Sequence, residues 1–180
     1  MRHAVVTGAS SGIGEAIVKR LLAEGWQVTG LSRRAVMLNA PGFTGLRVDI
    51  SDPAALCSAL QTIATPQAVI HAAGMMAAAP LGQLESDVST SLWQLHVRAC
   101  EALFNHFAPT MAAGGRFVAI GSRTSRGAAG RSQYVSTKAA MVGMVRSWAA
   151  ELAPRGITAN VVAPGATQTP MLSAPGRETS

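Results

Sequence analysis

The sequence has little of what a nucleic-acid surface needs. Aromatic residues make up 4% of the 180 residues and charged residues 13%, so neither a stacking platform nor a dense basic stripe is present. The net charge of +6 and the pI near 10.7 come from arginines scattered along the chain. We therefore predict no nucleic-acid partner. One local group, Arg123, Arg126 and Arg131, is either a loop that meets an anionic cofactor or substrate, or a solvated loop.

Long apolar runs and paired cysteines are also absent. No stretch approaches the ~20 apolar residues that cross a bilayer, and the apolar run near Met1 breaks at Thr7-Gly8, too early for a secretory signal. The two cysteines, Cys57 and Cys100, lack metal-ligand spacing and are predicted to be reduced thiols. These absences predict a cytoplasmic protein with no membrane partner and no metal site.

Short apolar runs alternate with longer segments of helical spacing. The runs lack strict polar alternation, which is typical of strands covered on both faces. The predicted strands are His3–Thr7, Trp26–Leu31, Leu46–Asp49, Ala68–His71, Arg116–Ile120 and Thr158–Ala163. The predicted helices are Gly14–Glu24, Pro53–Ile63, Leu84–Phe107 and Gln133–Leu152. This order predicts one α/β domain over residues 1–180, with a doubly wound parallel sheet of at least six strands and helices on both faces.

A glycine-rich turn follows the first predicted strand. Residues 7–14 have the sequence Thr-Gly-Ala-Ser-Ser-Gly-Ile-Gly and lead directly into a helix. Glycine is needed where a backbone turns tightly or approaches a pyrophosphate, and the free N–H groups of a helix start face such phosphates. A turn without a ligand is the alternative. We predict a dinucleotide phosphate site at Gly8, Ser10, Ser11, Gly12, Ile13 and Gly14.

The end of the second predicted strand carries arginines and no acid. In dinucleotide folds a carboxylate at this position binds the ribose hydroxyls, whereas arginine favours a 2′-phosphate. The segment here is Leu31-Ser32-Arg33-Arg34. It predicts NADP(H) as the preferred cofactor, with NAD(H) as the second candidate, unless the two arginines serve only surface solvation.

Tyr134, the only tyrosine, precedes Lys138 by one helical turn. Lysine is rare, since only Lys19 and Lys138 stand among the 15 basic residues. Positions i and i+4 share one helix face, so the phenol and the ammonium are expected to meet. A nearby cation lowers the pKa of a phenol, which is about 10 when unperturbed. The pair is a candidate proton donor and acceptor; an exposed helix pair without function is the alternative.

These features together resemble the short-chain dehydrogenase/reductase family. The matching residues follow the family's order: Thr7–Gly14, Ser122, Tyr134, Lys138 and Asn160–Gly165. They extend over nearly the whole chain, and the G-x3-G-x-G spacing resembles the single-domain oxidoreductase branch. The resemblance implies a Rossmann-type fold and an NAD(P)-dependent enzyme that interconverts a carbonyl and an alcohol by hydride transfer.

The resemblance also implies residue roles. Tyr134 exchanges a proton with the substrate oxygen, Lys138 lowers the tyrosine pKa and binds the nicotinamide ribose, and Ser122 holds the reacting oxygen. Further cofactor contacts are implied at Asp49, Ile50, Ala72, Ala73, Gly74, Pro164, Gly165, Thr167 and Thr169. A hydroxyl that caps the strand end is the alternative for Ser122, and a turn cap is the alternative for Asp49.

The chain departs from the family pattern at two histidines. The family usually has Asn-Asn-Ala-Gly after the fourth strand, where this chain has His71-Ala72-Ala73-Gly74. His71 is predicted to be a core residue rather than a ligand. His96 takes the place of an asparagine that typically holds a water beside the active lysine. Because imidazole also binds water and relays protons, His96 is a candidate member of a proton relay.

The match ends soon after Thr169-Pro170-Met171. Family members usually continue through a substrate-covering segment, a helix and a last parallel strand, so we predict an incomplete C-terminus and interpret Ala174–Arg177 as an interrupted lid. The alternatives are a shortened family member and a partner that covers the sheet edge. The sixth predicted strand then forms a bare sheet edge. This departure, with Ala72 and His96, motivates the alternative function of a non-catalytic dinucleotide-binding sensor or scaffold.

Two predicted helices carry apolar residues on faces expected to point outward. These residues are Leu92, Leu103, Met141, Met144 and Trp148. Since the equivalent helices pair subunits in the family, the resemblance implies a homodimer or homotetramer. The other predicted partner is a small carbonyl or alcohol substrate, whose identity and reaction direction the sequence leaves open.

Overall fold

Six parallel strands form one open sheet in the computed structural model, which describes residues 1–171. Their bounds are His3–Thr7 (β1), Gln27–Ser32 (β2), Phe43–Arg47 (β3), Ala68–His71 (β4), Arg116–Ile120 (β5) and Thr158–Val162 (β6). Their order is β3-β2-β1-β4-β5-β6, and all neighbours are parallel. The order reverses between β1 and β4, and in such sheets ligands bind at this switch point, beside the carboxyl ends of the strands.

Helices cover both faces of the sheet. They are α1 (Gly12–Ala23), α2 (Pro53–Leu60), α3 (Ser86–Trp93), α4 (Ala99–Phe107) and α5 (Ser132–Leu152). Successive strand residues point to opposite faces, and Val5 belongs to one apolar cluster whereas Ala4 and Val6 belong to another. The cluster of Val5 includes residues of α2, α4 and α5, and the other includes Val18 of α1. The prediction of a doubly wound α/β fold is confirmed.

The start of α2 shows how local sequence sets an element. The Asp52 carboxylate accepts hydrogen bonds from the backbone N–H groups of Ala54 (2.9 Å) and Ala55 (3.1 Å). Pro53 occupies the first helical position, where its missing N–H has no consequence. Asp52 therefore caps α2, which begins shortly after the carboxyl end of β3.

The helix predicted over residues 84–107 is not continuous. It begins at Ser86, and a π segment, Gln94–Arg98, separates α3 from α4. In a π turn the backbone bonds run from i to i+5, so the helix is locally wider. Apolar spacing does not distinguish this bonding from the ordinary i to i+4 pattern, which is why the prediction of one uninterrupted α-helix was wrong here.

The two edge strands differ from their predictions. β3 covers Phe43–Arg47 rather than Leu46–Asp49, and residues of β3 and β6 are partly exposed rather than covered on both faces. The Phe43 ring packs on Gly30 of β2, where an added Cβ would lie 2.9 Å from the ring. Pairing with β2 therefore fixes β3 without a continuous apolar run. β6 forms the other edge, and within residues 1–171 no strand lies beyond it; the predicted lid, 174–177, lies outside the described residues.

Three of the apolar residues expected on outward faces belong to the core. Leu92, Leu103 and Met141 have no exposed surface, so the prediction of an outward position is wrong for them. Leu103 and Met141 join the cluster of Val5 between the sheet and its helices. Trp148 packs against the same cluster, with its ring centre 5.3 Å from that of Phe104.

The described part of the chain has no helix long and apolar enough to cross a bilayer. Within residues 1–171, no three His, Cys, Asp or Glu side chains lie together as metal ligands would. Cys57 is exposed and Cys100 is buried, and both are free thiols. Burial raises the pKa of the Cys100 thiol to about 12.

Candidate active site and cofactor cleft

Most of the predicted site residues meet in one cleft at the carboxyl ends of β1, β4 and β5. Its walls include Gly8, Ser11, Gly12, Ile13, Ala72, Ala73, Gly74, His96, Ser122, Tyr134, Lys138, Pro164, Gly165, Thr167 and Thr169. An adjoining depression contains the predicted residues Ser10, Ser32, Arg33, Arg34, Asp49 and Ile50. The cleft and the depression share Gly8, Ser11, Ala73 and Gly74, so they form one continuous surface.

Several wall residues were not predicted from the sequence. They are Met75, Ile120, Gly121, Pro170 and Met171 in the cleft, and Leu31, Val48 and Leu95 in the depression. Most of them adjoin a predicted residue in the chain, and none carries a polar side chain that would have marked it. The signal that could have found them is adjacency to a motif, because a strand end brings its neighbours into the same wall.

The glycine turn packs directly on the loop after β4. Gly8 has a φ of +70° and Gly12 a φ of +57°, a region that residues with a Cβ rarely adopt. A Cβ at Gly8 would lie 2.8 Å from backbone atoms of Ala73. Gly14 packs so closely on the carbonyl oxygen of Gly8 that no side chain fits there. Gly14 therefore supports the turn from beneath, whereas Gly8 and Gly12 line the cleft.

The start of α1 has the features of an anion site. Ser11 is the N-cap, and its side chain makes no capping hydrogen bond. The N–H groups of the first turn are therefore not occupied by that hydroxyl, and the positive end of the helix faces the cleft. Together with the bare backbone at Gly8 and Gly12, these groups fit the pyrophosphate of a dinucleotide.

The adjoining depression carries the two arginines predicted to select the cofactor. Arg33 and Arg34 are exposed, and Ser32, the last residue of β2, is buried. The Asp49 carboxylate accepts hydrogen bonds from the hydroxyl (2.6 Å) and the N–H (3.0 Å) of Ser51. The bond from the Ser51 hydroxyl, with the charge of Arg33, lowers the pKa of Asp49. Asp49 therefore caps a turn, as the alternative interpretation held, while it also faces the depression.

Tyr134 and Lys138 lie one turn apart on the buried face of α5. Their exposed fractions are 6% and 4%. The Lys138 Nζ lies 5.8 Å from the centre of the Tyr134 ring and donates to the carbonyl oxygen of Ile120 at 2.8 Å. Burial lowers the pKa of Lys138 to about 8, so the ammonium form predominates at pH 7. The prediction that the phenol and the ammonium share one helix face is confirmed.

Ser122 follows β5 and is buried beside the cleft. It is the N-cap of a short 3-10 turn, Arg123–Arg126, and its hydroxyl accepts from the Thr124 N–H at 3.2 Å. The two hydroxyls of Ser122 and Thr124 lie 2.8 Å apart. A hydroxyl has one donor and two acceptor positions, so when Thr124 donates, the Ser122 proton remains for a substrate oxygen. Capping and substrate binding are therefore compatible at this residue.

His71 is a fully buried core residue, as predicted, and it ties β4 to β1. Its Nδ1 lies 3.0 Å from the hydroxyl of Thr7, which also accepts from the N–H groups of Ala72 and Ala73 at 3.1 Å each. Because both lone pairs of the Thr7 hydroxyl are used, its proton is left for Nδ1. This arrangement joins the two strands at the switch point without the amides that the family pattern has there.

His96 lies beside Tyr134 and is also fully buried. The two ring centres are 5.6 Å apart in an edge-to-face arrangement. Burial, and then the charge of Lys138, lower the pKa of His71 to about 3 and that of His96 to about 2. Both imidazoles are therefore neutral near pH 7, and Lys138 is the one charged side chain in the described walls of the cleft.

Comparison with known proteins agrees with this geometry. A family model described as short chain dehydrogenase matches residues 2–179. The chain belongs to this family. The predicted family membership is confirmed, and with it the assignment of the chain as an oxidoreductase.

This short-chain dehydrogenase is 34% identical over 185 residues to the 3-oxoacyl-acyl-carrier-protein reductase FabG of Salmonella typhimurium, which covers 95% of this chain and 75% of that protein. Its fold is similar to a short-chain dehydrogenase of Burkholderia cenocepacia in complex with NADP, with 30% identity, a TM-score of 0.88 and coverage of 98% and 79% of the two chains. It is also similar to a 4-hydroxyisoleucine dehydrogenase complexed with NADH, with 25% identity, a TM-score of 0.87 and coverage of 96% and 78%.

Proposed function

We propose that this short-chain dehydrogenase interconverts a carbonyl and an alcohol, with NADP(H) as the preferred cofactor and Tyr134 as general acid and base. The observation that carries the proposal is the position of Tyr134, buried one turn before Lys138 in the cleft that also holds Ser122 and the glycine turn. A bound nicotinamide supplies or accepts a hydride. The chain's own residues then hold the substrate oxygen and move one proton.

Lys138 supports the proton transfer electrostatically. Its ammonium is held by the Ile120 carbonyl oxygen and lies against the Tyr134 ring. A cation at this distance favours phenolate over phenol, so it assists Tyr134 in giving a proton to a carbonyl oxygen. No carboxylate lines the described walls of the cleft to offset this charge. In the oxidation direction the same charge stabilises the phenolate that takes the proton from an alcohol.

Ser122 orients the reacting oxygen in this proposal. Its hydroxyl is fixed by Thr124 and lies in the same cleft as Tyr134. A donor held in place before the reaction needs no reorganisation when charge develops on the substrate oxygen. Ser122 and Tyr134 would together hold that oxygen from two sides.

The preference for NADP(H) rests on Arg33 and Arg34. Both are exposed in the depression that continues the cleft, and guanidinium groups bind phosphate by charge and by paired hydrogen bonds. Asp49, the acid of this depression, is occupied by Ser51. The structural neighbours described above hold NADP in one case and NADH in the other, so the two arginines are the local feature that supports NADP(H).

Replacement of Tyr134 by phenylalanine tests the proposed acid. Tyr134→Phe keeps the ring but removes the hydroxyl, so kcat should fall by about 10²- to 10⁴-fold, while the affinity for NADPH changes little. Turnover is followed by NADPH oxidation with a panel of carbonyl compounds, and affinity by NADPH fluorescence. Ser136→Ala, on the exposed side of the same helix, is the matched control. Unchanged turnover in Tyr134→Phe would refute the assignment.

The same panel separates the enzyme from the alternative of a non-catalytic sensor or scaffold. A wild-type chain that binds NADPH but reduces none of the carbonyl compounds supports the alternative. Reduction that depends on Tyr134 supports the enzyme.

Replacement of both arginines tests the cofactor preference. The double variant Arg33→Ala, Arg34→Ala should lose at least about 100-fold in NADPH affinity, since each charge-assisted contact to phosphate contributes about 1.5–3 kcal/mol. The affinity for NADH should change far less, because NADH lacks the 2′-phosphate. Arg146→Ala, at an exposed arginine on α5, controls for the loss of a surface positive charge outside the depression. Equal losses for the two cofactors would show that the arginines do not contact the 2′-phosphate.

The substrate is proposed to be a small molecule with apolar or acyl groups next to its carbonyl. The cleft walls offer the apolar side chains of Met75, Ile120 and Met171. Arg123 lies beside Gly165 at the end of the cleft and is exposed, which supports an acidic group elsewhere on the substrate. The Salmonella relative is named for 3-oxoacyl groups on a carrier protein, so 3-oxoacyl thioesters belong in the panel.

We also propose that the chain forms a homodimer or homotetramer. Trp93 of α3 is 40% exposed and Leu84 just before this helix is 39% exposed, and both are large apolar side chains for a solvated surface. Light scattering measures the mass. A monomer at micromolar concentration would contradict this proposal.

A further inference from the structure

His96 connects three parts of the cleft that come from separate elements. Its Nε2 accepts a hydrogen bond from the backbone N–H of Met75, in the loop after β4, at 3.0 Å. Its Nδ1 lies 2.9 Å from the hydroxyl of Thr137 on α5. Thr137 has no exposed surface, and its hydroxyl donates to the backbone carbonyl of Tyr134 at 2.9 Å. The contacts therefore form a chain from the loop to the backbone of the proposed proton donor.

These contacts fix where the protons of His96 lie. A backbone N–H can only donate, so Nε2 must be the unprotonated nitrogen. The Thr137 hydroxyl donates its own proton to the Tyr134 carbonyl oxygen. Nδ1 must therefore carry a proton and donate it to the Thr137 oxygen. Every polar position of the imidazole is then used by the protein itself, and none is left to pick up or release a proton.

The surroundings also oppose a second proton on His96. The titratable groups that face it are Lys138 and Tyr134 on α5 and His71 on β4. Lys138 and His71 each make a positive charge on His96 less favourable. Gly74 passes over the ring so closely that an added Cβ would lie 3.2 Å from Nε2. The imidazole is thus enclosed by backbone on one side and by the edge-to-face contact with Tyr134 on another.

We propose that His96 is a positioning residue rather than a proton carrier: held in one neutral tautomer, it fixes the backbone and the ring of Tyr134 to the loop after β4. The proposal rests on the proposed role of Tyr134 as general acid and base. It replaces the relay interpretation of His96, because a relay needs a nitrogen that exchanges its proton. The shape and bonding of His96 matter, and its ability to ionise does not.

His71 provides an internal comparison with the opposite tautomer. The Thr7 hydroxyl donates to its Nδ1, so its proton lies on Nε2. That nitrogen faces the backbone of Leu95 and His96 in the π segment without a hydrogen bond of normal geometry among the described residues. His96 therefore belongs to the π segment and His71 packs against its backbone, and both are neutral for structural reasons.

Nitrogen NMR tests the proposal without reference to activity. In a ¹⁵N-labelled sample, the signals of His96 and His71 are assigned by their loss in His96→Asn and His71→Asn, and exposed His106 serves as a reference. We expect His96 to show a protonated Nδ1 and a bare Nε2, and His71 the reverse, both constant between about pH 5.5 and pH 8. A His96 signal that titrates in this range, or a proton on its Nε2, would overturn the proposal.

Kinetics with graded variants tests the consequence for Tyr134. His96→Ala removes both links and should lower kcat by about 100-fold, since small misplacements of a reacting group have effects of this size. His96→Asn, whose amide can accept from Met75 and donate to Thr137, should recover at least about tenfold of that loss. Thr137→Val, which keeps the shape but removes the hydroxyl, should resemble His96→Ala, and Thr137→Ser should restore activity.

Three results would overturn the proposal in the kinetic experiment. They are full activity in both His96→Ala and Thr137→Val, rescue of His96→Ala by free imidazole, and loss of one limb of the pH profile in His96→Asn. If the wild-type chain reduced no carbonyl, the proposed function would fail, whereas the NMR result would still decide the tautomer. The aromatic proton signals of Tyr134 in the same samples would then show whether its ring becomes mobile in the variants.

Discussion

Gly8 and Gly25 share a backbone conformation but not a neighbourhood. Their φ angles are +70° and +78°, a region that costs a residue with a Cβ about 1 kcal/mol. A Cβ at Gly25 would meet nothing within 4 Å, whereas one at Gly8 would lie 2.8 Å from the Ala73 backbone. Gly25 therefore requires only a positive φ, whereas Gly8 requires both a positive φ and close contact with the Ala73 backbone.

Alanine substitutions at these glycines measure the two demands. Gly25→Ala should lower the free energy of unfolding by about 1 kcal/mol through φ alone. Gly8→Ala adds a collision with backbone atoms that cannot rotate away, so we expect a loss of about 3 kcal/mol and weaker NADPH binding. Urea denaturation and NADPH fluorescence measure the two effects. Equal losses in the two variants, with cofactor binding retained, would contradict the packing role of Gly8.

Contacts within one helix could be predicted from the sequence, whereas contacts between elements could not. Tyr134 and Lys138 meet because i and i+4 positions share a face in every α-helix. The partners of His96 are Met75 and Thr137, which belong to a distant loop and another helix. Nothing in the sequence specifies that register, so the sequence alone left the bonding of both His96 nitrogens open.

At the scale of elements, the π segment Gln94–Arg98 is the feature that the sequence did not reveal. Its residues carry helical spacing, and the extra residue per turn leaves no pattern of its own. Its consequence is local: it buries His96 near Lys138 and brings the backbone of Leu95 toward His71. With ordinary i to i+4 bonding in this segment, the residues of α4 would be rotated to a different position about the helix axis.

The bounds of the strands were predicted better in the centre of the sheet than at its β3 edge. β1 and β4, in the middle of the sheet, were predicted with correct bounds because continuous burial selects apolar residues at most of their positions. At the edges only one neighbour and one face constrain the sequence. There Phe43 and Gly30 pack as a pair across two strands, a contact that no local pattern encodes.

At the scale of the whole molecule, the two buried histidines link stability to pH. Their pKa values in the folded chain are about 3 and about 2, whereas the ordinary value is 6.5. Between these limits the unfolded chain binds more protons than the folded chain, so protonation favours unfolding. Stability is therefore complete above about pH 6.5 and falls as the pH decreases toward 3. Lys138 titrates only above this window.

We expect this linkage to dominate the acid sensitivity of the chain. Each histidine should contribute about 2 kcal/mol of destabilisation between pH 7 and pH 5, because one pKa unit corresponds to about 1.4 kcal/mol. Urea denaturation at the two pH values measures the loss. The variant His71→Asn, His96→Asn has no imidazole at either site and should lose about 4 kcal/mol less over the same interval. An equal loss in wild type and variant would contradict the assignment.

Tyr134 is the only tyrosine of the chain, and this has an experimental consequence. Ionised phenols absorb at longer wavelengths than neutral ones, whereas the indoles of the three tryptophans do not ionise in the accessible range. An absorbance titration of the unmodified protein therefore follows a single group, the one proposed to move the proton. Ionisation of Tyr134 can therefore be followed without a label and without subtracting the absorbance of other tyrosines.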